Sequence, residues 1–251
     1  MNQLTEQEEK FLDDNFRYYT RDYDHKRSME VVDGGELQNV EDLKPLLDRI
    51  HEFMESEFYL TTASLLAKRY GYYMVTGPMA LMSGFNKFPD TTPENLTFIR
   101  IDEDKKWFPK LQLKDKQVSV PGTDRHQWVK TNMEQLMKCN VLPFFQSLNQ
   151  VTRISMNVLW ENFVIYLFWF YEQEADKWFE PDQLALIKDD FHFILNELPA
   201  EVFGTESHPF YYFQFQPTLR NGKRERKCCC LTYRLNEESG YCKVCPHLNQ
   251  G

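Results

Sequence analysis

Apolar residues recur at helical spacing through the first third of the chain, and the polar residues between them mark where helices start. Leu4, Phe11, Leu12, Phe16 and Tyr19 form one stripe, and Thr5 followed by Glu8 has the form of a capping box. A polar stretch containing Asp33-Gly34-Gly35 breaks the pattern. Glu41 to Met54 predicts a second helix, with Leu43, Leu46, Leu47, Ile50 and Phe53 on one side. Thr62 to Met82 predicts a third, interrupted or bent near Gly77-Pro78. From Phe85 to Pro121 the pattern changes: Leu96–Ile101, Trp107–Leu113 and Val118–Val120 read as short strands with polar turns.

Helical periodicity returns after Asp124. His126 to Cys139 and Val141 to Gln150 predict two helices, with Pro143 near the start of the second. Ile154 to Glu174 is apolar on every side, which predicts the central buried helix. Pro181 suits a helix start, and Leu184, Leu186, Ile187, Phe191, Ile194 and Leu195 follow. Tyr211 to Gln216 alternates and predicts a strand. The expected fold is α+β and mainly α-helical, with short antiparallel strands and a metal-bearing C-terminal segment. Its expected parts are an N-terminal α+β lobe over 1–121, a helical lobe over 122–218 and the C-terminal segment over 219–251.

Composition narrows the function. A chain of 251 residues can bury a substantial core, and its net charge of −9 argues against a general binder of nucleic acid or anionic membrane. The longest apolar run, Phe163 to Tyr171, is about half of what a bilayer-spanning helix needs. Met1 to Asn15 is acidic and polar, without the apolar region of a secretory signal. The expectation is a soluble cytoplasmic protein with no integral membrane segment. No G-x-G-x-x-G, G-x4-G-K-[ST], H-E-x-x-H or G-x-S-x-G occurs, so no nucleotide fold, zincin site or nucleophile elbow is indicated.

Cysteine changes the picture most. Five of the six cysteines lie within the eighteen residues Cys228–Cys245. Clustered thiols in a reducing compartment favour metal over disulfides, because several thiolates can converge on one soft ion. Cys242 and Cys245 form a C-x2-C knuckle, whereas Cys228-Cys229-Cys230 is a contiguous run. Structural zinc usually draws on two separated knuckles. Neighbouring thiolates in an extended chain point to opposite sides, which suits a larger [2Fe–2S] rhomb better than one small tetrahedral ion. Cys139, alone on a helix, reads as a small buried hydrophobe. His51, His126 and His192 read as surface or satisfied core groups, and His208 and His247 carry no clear signal.

Cys229-Cys230, eleven residues, then Cys242-Lys243-Val244-Cys245 resembles the C-terminal signature of the FhuF-type siderophore-iron reductases, as does an aromatic followed by Arg234-Leu235. Leu159-Trp160-Glu161-Asn162 resembles the helical body of the same family. The departures are a gap of eleven residues where the family has about ten, and the additional Cys228. The resemblance implies a [2Fe–2S] cluster on Cys229, Cys230, Cys242 and Cys245. It implies one-electron reduction of a ferric siderophore, of hydroxamate or citrate-hydroxamate type, with release of Fe(II). With no NAD(P)H motif, an external donor of ferredoxin or flavodoxin type is implied. Arg220, Arg224 and Arg226 sit in a basic run that contrasts with the acidic chain, and are expected to draw an anionic chelate towards the cluster. The alternatives are a zinc-stabilised interaction module without redox activity and a relative of the siderophore synthetases.

Overall fold

The computed structural model describes residues 2–19, 30–101, 107–215, 217–236 and 239–248. Helix α1 spans Glu6–Phe16, and the capping box at its start is formed as expected, Thr5 and Glu8 satisfying each other's backbone amides. Strand β1 (Glu30–Asp33) precedes α2 (Val40–Phe53), whose Leu43, Leu46, Leu47 and Ile50 are buried. Strand β1 has no counterpart in the sequence pattern. Its four residues carry too short an alternation to stand out, and its place comes from pairing.

Helix α3 runs without interruption over Tyr59–Phe85, through the point where Gly77-Pro78 predicts a break. Tyr18 explains the glycine. Its hydroxyl donates to the carbonyl of Tyr73, and its ring lies so close to Gly77 that an added Cβ would stand 2.4 Å from the hydroxyl. Gly77 is therefore a packing residue within a helix, not a breaker.

The next elements are short strands: β2 (Phe88–Pro89), β3 (Leu96–Arg100), β4 (Lys110–Leu113) and β5 (Val118–Ser119). β3 is central in an antiparallel sheet of order β1-β3-β4, with Val32 opposite Phe98 and Phe98 opposite Leu111. β2 pairs antiparallel with β5.

Helix α4 (Arg125–Leu136) continues through a π-turn, Met137–Val141, into α5 (Leu142–Thr152), where the sequence predicts two separate helices. The wide turn suits Pro143, which has no amide to offer the preceding turn. It also carries Asn140 inward, where its side chain donates to the carbonyl of Thr91 and accepts from Tyr70 at 2.5 Å each. Cys139, on the same turn, is exposed, contrary to the buried position expected of it.

Helix α6 (Met156–Trp169) starts at a Ser155 cap and passes through a second π-turn, Phe170–Glu174, into α7 (Ala175–Trp178). Helix α8 (Pro181–Asn196) begins at Pro181, as expected. The α3–α6 pair is the most extensive helix contact, as the apolar character of α6 predicts. Gly71 permits it: a Cβ there would lie 2.6 Å from the carbonyl oxygen of Asn162. One hydrophobic core runs from Leu4 to Leu235, so the two expected lobes share it.

Tyr211 to Gln214 forms a short helix, α9, rather than the expected strand, and Gln216 lies outside the described residues. Phe210 and Phe213 are buried while Tyr211 and Tyr212 are exposed, so burial here does not alternate. Beyond it, β6 (Leu219–Arg220) and β7 (Lys223–Arg224) form a hairpin about Asn221-Gly222. Both turn residues have positive φ, 51° and 75°. The structure is mainly α-helical with small antiparallel sheets.

Candidate metal centre

The cysteine segment is tied to the α3–α6 pair by buried polar groups. Glu161 on α6 accepts the backbone amide of Lys227 with one oxygen, at 2.6 Å, and that of Cys228 with the other. Next to it, Asn162 donates to the carbonyl and hydroxyl oxygens of Ser64 on α3 and accepts from the Arg226 guanidinium at 2.6 Å. Arg226 returns to the segment itself, donating to the carbonyl of Cys228 at 3.0 Å. Ser64 donates its hydroxyl to the carbonyl of Cys230 at 2.9 Å. Burial pushes the Glu161 carboxyl up, opposed by Arg226 at 3.9 Å and by the two amides. Ser64, Glu161, Asn162 and Arg226 thus each meet partners, as burial demands.

The knuckle is bound to the cysteine run in turn. The Cys245 amide closes a tight turn onto the Cys242 carbonyl at 2.9 Å. Across the segment, the Arg226 amide donates to the carbonyl of Val244 at 2.9 Å, and Arg220 donates to the carbonyl of Cys245 at 3.2 Å.

These restraints bring four of the five clustered thiols together as two pairs. Cys229 and Cys245 have their sulfurs 3.9 Å apart, and Cys230 and Cys242 lie near enough for each to shift the other's ionisation. The adjacent Cys229 and Cys230 therefore diverge, each meeting one member of the knuckle. Cys228 is not part of either pair. It packs against the hydrophobic core and donates its thiol towards Glu161, and burial together with that carboxylate pushes the thiol up to about 11. Burial likewise pushes Cys229 up to about 11. Cys230 moves the other way, downwards, because the neighbouring Cys242 thiol and then Lys68, Arg226 and Thr232 favour its thiolate. Cys242, beside Cys230, is raised.

The pairing tests which metal group these residues fit. Among the described residues no group of three or more Cys, His, Asp or Glu side chains is already gathered about one point, so the fit rests on the donor set and on how the thiols pair. A [2Fe–2S] rhomb takes four thiolates, two on each iron. Two separate sulfur pairs are compatible with that demand, and they involve the four cysteines that the resemblance implies as ligands.

The three arginines expected to face a substrate are placed otherwise. Arg226 is 3% exposed and occupied as described. Arg224 forms a two-pronged ion pair with Glu172 and lies over the ring of Phe168 at 4.3 Å. Arg220 pairs with Glu225 as well as with the Cys245 carbonyl. All three dock and close the segment. A run of basic residues in sequence cannot reveal this, because the carboxylates that take two of them lie on α6 and on the π-turn after it. Ser64, Lys68 and Glu161 are the positioning residues that local sequence pattern leaves unassigned to the site. Glu161 and Asn162 stand out in sequence only as part of the resemblance.

Among the described residues, no helix is long and apolar enough to cross a membrane. No family model and no curated protein matches this chain.

Proposed function

We propose that the protein is a one-electron reductase of ferric siderophores, acting in the cytoplasm with a [2Fe–2S] cluster on Cys229, Cys230, Cys242 and Cys245. The observation that carries this reading is the division of the four thiols into two pairs on a buried scaffold. When bound, the cluster supplies one electron at a time at a partly exposed edge of the protein.

The chain's own residues do the rest. Glu161, Asn162, Arg226 and Ser64 hold the backbone on which the thiols stand. Cys230 and Cys245 face the interior, while Cys229 and Cys242 are part-exposed and define the side open to a solute. Tyr233, Tyr241 and His247 of the same segment gather into one ring cluster, with the two tyrosine rings 4.6 Å apart and the His247 ring 6.4 Å from each. Fe(III) in a siderophore is held by hard oxygen donors, a preference that weakens in Fe(II). One electron therefore turns an inert chelate into a labile one without acid–base chemistry. The electron is replaced by an external one-electron donor protein, of ferredoxin or flavodoxin type.

Visible absorption and metal analysis of freshly purified protein test this. A reddish-brown sample with two irons and two sulfides per chain, bleached by dithionite and reoxidised by a ferric hydroxamate, is the expected result. A colourless protein with stoichiometric zinc overturns it in favour of a zinc-stabilised interaction module.

A further inference from the structure

Lys68 stands one turn beyond Ser64 on α3, so the helix that holds the Cys230 carbonyl also brings an ammonium to the sulfur of the same residue. Its Nζ is 3.8 Å from the Cys230 Sγ. The side chain is half-buried, and among the described residues no carboxylate lies within ion-pair distance of it. Lysine in such a place is costly unless an anion compensates it. Here the group it faces is the Cys230 sulfur, which would be a thiolate when bound to metal. Arg226, the other cation nearby, differs because Glu161 stands 3.9 Å from it and its guanidinium is engaged by Asn162 and the Cys228 carbonyl. Thr232 places its hydroxyl 3.0 Å from the same Cys230 sulfur, whereas Cys229 meets the Leu231 amide, at 3.4 Å, and the Cys245 sulfur, with no cation in hydrogen-bond contact with it among the described residues. The polar environment is therefore lopsided, with the ammonium and the hydroxyl both on the Cys230 side.

We propose that Lys68 is a positioning residue that sets the electron affinity of the metal centre through Cys230. The inference rests on the [2Fe–2S] reading above. Reduction adds one negative charge to the cluster and its thiolates, so a cation at a ligand sulfur stabilises the reduced form more than the oxidised form. Hydrogen bonds to cluster sulfurs and net charge near them are the established controls of such potentials. The positive charge eases filling by the donor protein and lessens the driving force towards Fe(III). It thereby sets which ferric chelates the protein reduces, favouring those whose oxygen donors hold Fe(III) less tightly.

The test is a mediated redox titration of the purified holoprotein, wild type against Lys68→Gln and Lys68→Arg, followed by visible absorption with iron content measured in parallel. Lys68→Gln is expected to keep its iron and spectrum while the reduced-to-oxidised ratio at a given potential falls about tenfold, equal to a drop of ~59 mV for one electron. Lys68→Arg, which keeps the charge, is expected to stay close to wild type. An unchanged midpoint in a fully loaded Lys68→Gln overturns the inference and leaves the reductase reading intact. Loss of iron from Lys68→Gln also overturns it, because Lys68 would then hold the site instead of tuning it. A wild-type protein without an iron–sulfur spectrum overturns the reading itself and this inference with it.

Discussion

Glu161 takes the amides of Lys227 and Cys228 with the two oxygens of one buried carboxylate, and this contact orients the whole cysteine run. Glu161→Gln replaces one acceptor by a donor facing a backbone amide and leaves the buried Arg226 without its counter-charge. The expected cost is about 2–3 kcal/mol, measurable by denaturant unfolding, with faster proteolysis of the segment after Gly222. The thiols make a sharper set. Cys229→Ser, Cys230→Ser, Cys242→Ser and Cys245→Ser are each expected to abolish or severely destabilise the proposed cluster. Cys228→Ser and Cys139→Ser should leave its absorption intact, since one thiol packs on the core beside Glu161 and the other is exposed. A full spectrum in Cys230→Ser with loss in Cys228→Ser would reassign the pair. The same residue-scale geometry changes what Arg226 is for. Its replacement should loosen the segment, not raise the KM for an anionic chelate.

At the scale of elements, the site depends on how closely α3 and α6 approach, because Ser64 and Lys68 come from one helix and Glu161 and Asn162 from the other. Gly71 is where the two backbones meet, and an added methyl would stand 2.6 Å from the Asn162 carbonyl oxygen. Backbone cannot yield as a flexible side chain does. Gly71→Ala is therefore expected to cost about 2–3 kcal/mol in unfolding free energy. Because Asn162 moves with the displaced backbone, the variant should also lose cluster absorption faster on incubation with a chelator. Full stability with wild-type cluster retention would show that the helices separate without consequence. The hairpin of β6 and β7 works at the same scale. Its Asn221-Gly222 turn, a strong hairpin signal in any sequence, returns the chain so that Arg220 reaches the knuckle and Arg224 reaches the turn after α6.

On the scale of the molecule, a single core links the N-terminal helix to the cysteine segment, and His208 sits in the connection that leads there. It is buried against Phe203, Phe210 and Tyr211, the last ring stacked at 4.5 Å. Its Nδ1 accepts the Phe210 amide at 3.2 Å, so Nε2 carries the proton and faces the Ile194 carbonyl at 3.3 Å. Burial lowers the His208 pKa below its ordinary value near 6.5, an effect only partly offset by the backbone contacts. The unfolded chain therefore takes up a proton near pH 6.5 that the folded chain does not. Stability is fully present above that pH and falls as the pH drops through it, by at most ~1.4 kcal/mol per pH unit. His208→Gln should be less stable at pH 8 and lose less than wild type between pH 7 and pH 5, read from urea unfolding midpoints. Parallel losses in the two proteins would show that other groups carry the acid sensitivity.

What the sequence determined by itself was whatever depends on neighbours along the chain. The capping box at Thr5 and Glu8, the stripes of α2 and α8 and the burial of α6 are all local periodicities, and each appears in the structure. So do the crowded thiols, since a knuckle and a contiguous run are readable from spacing alone. Tertiary structure decided the rest. It carried α3 through Gly77-Pro78, with Gly77 packed against the Tyr18 ring, and it joined α4 to α5 through a turn from which Asn140 reaches buried partners. It turned Tyr211–Gln214 into helix, where burial requires Phe210 and Phe213 inward together. Above all it decided the pairing of Cys229 with Cys245 and the engagement of Arg224 and Arg226. These depend on partners brought from distant parts of the chain by packing, and no local pattern of polar and apolar residues encodes which charge will meet which.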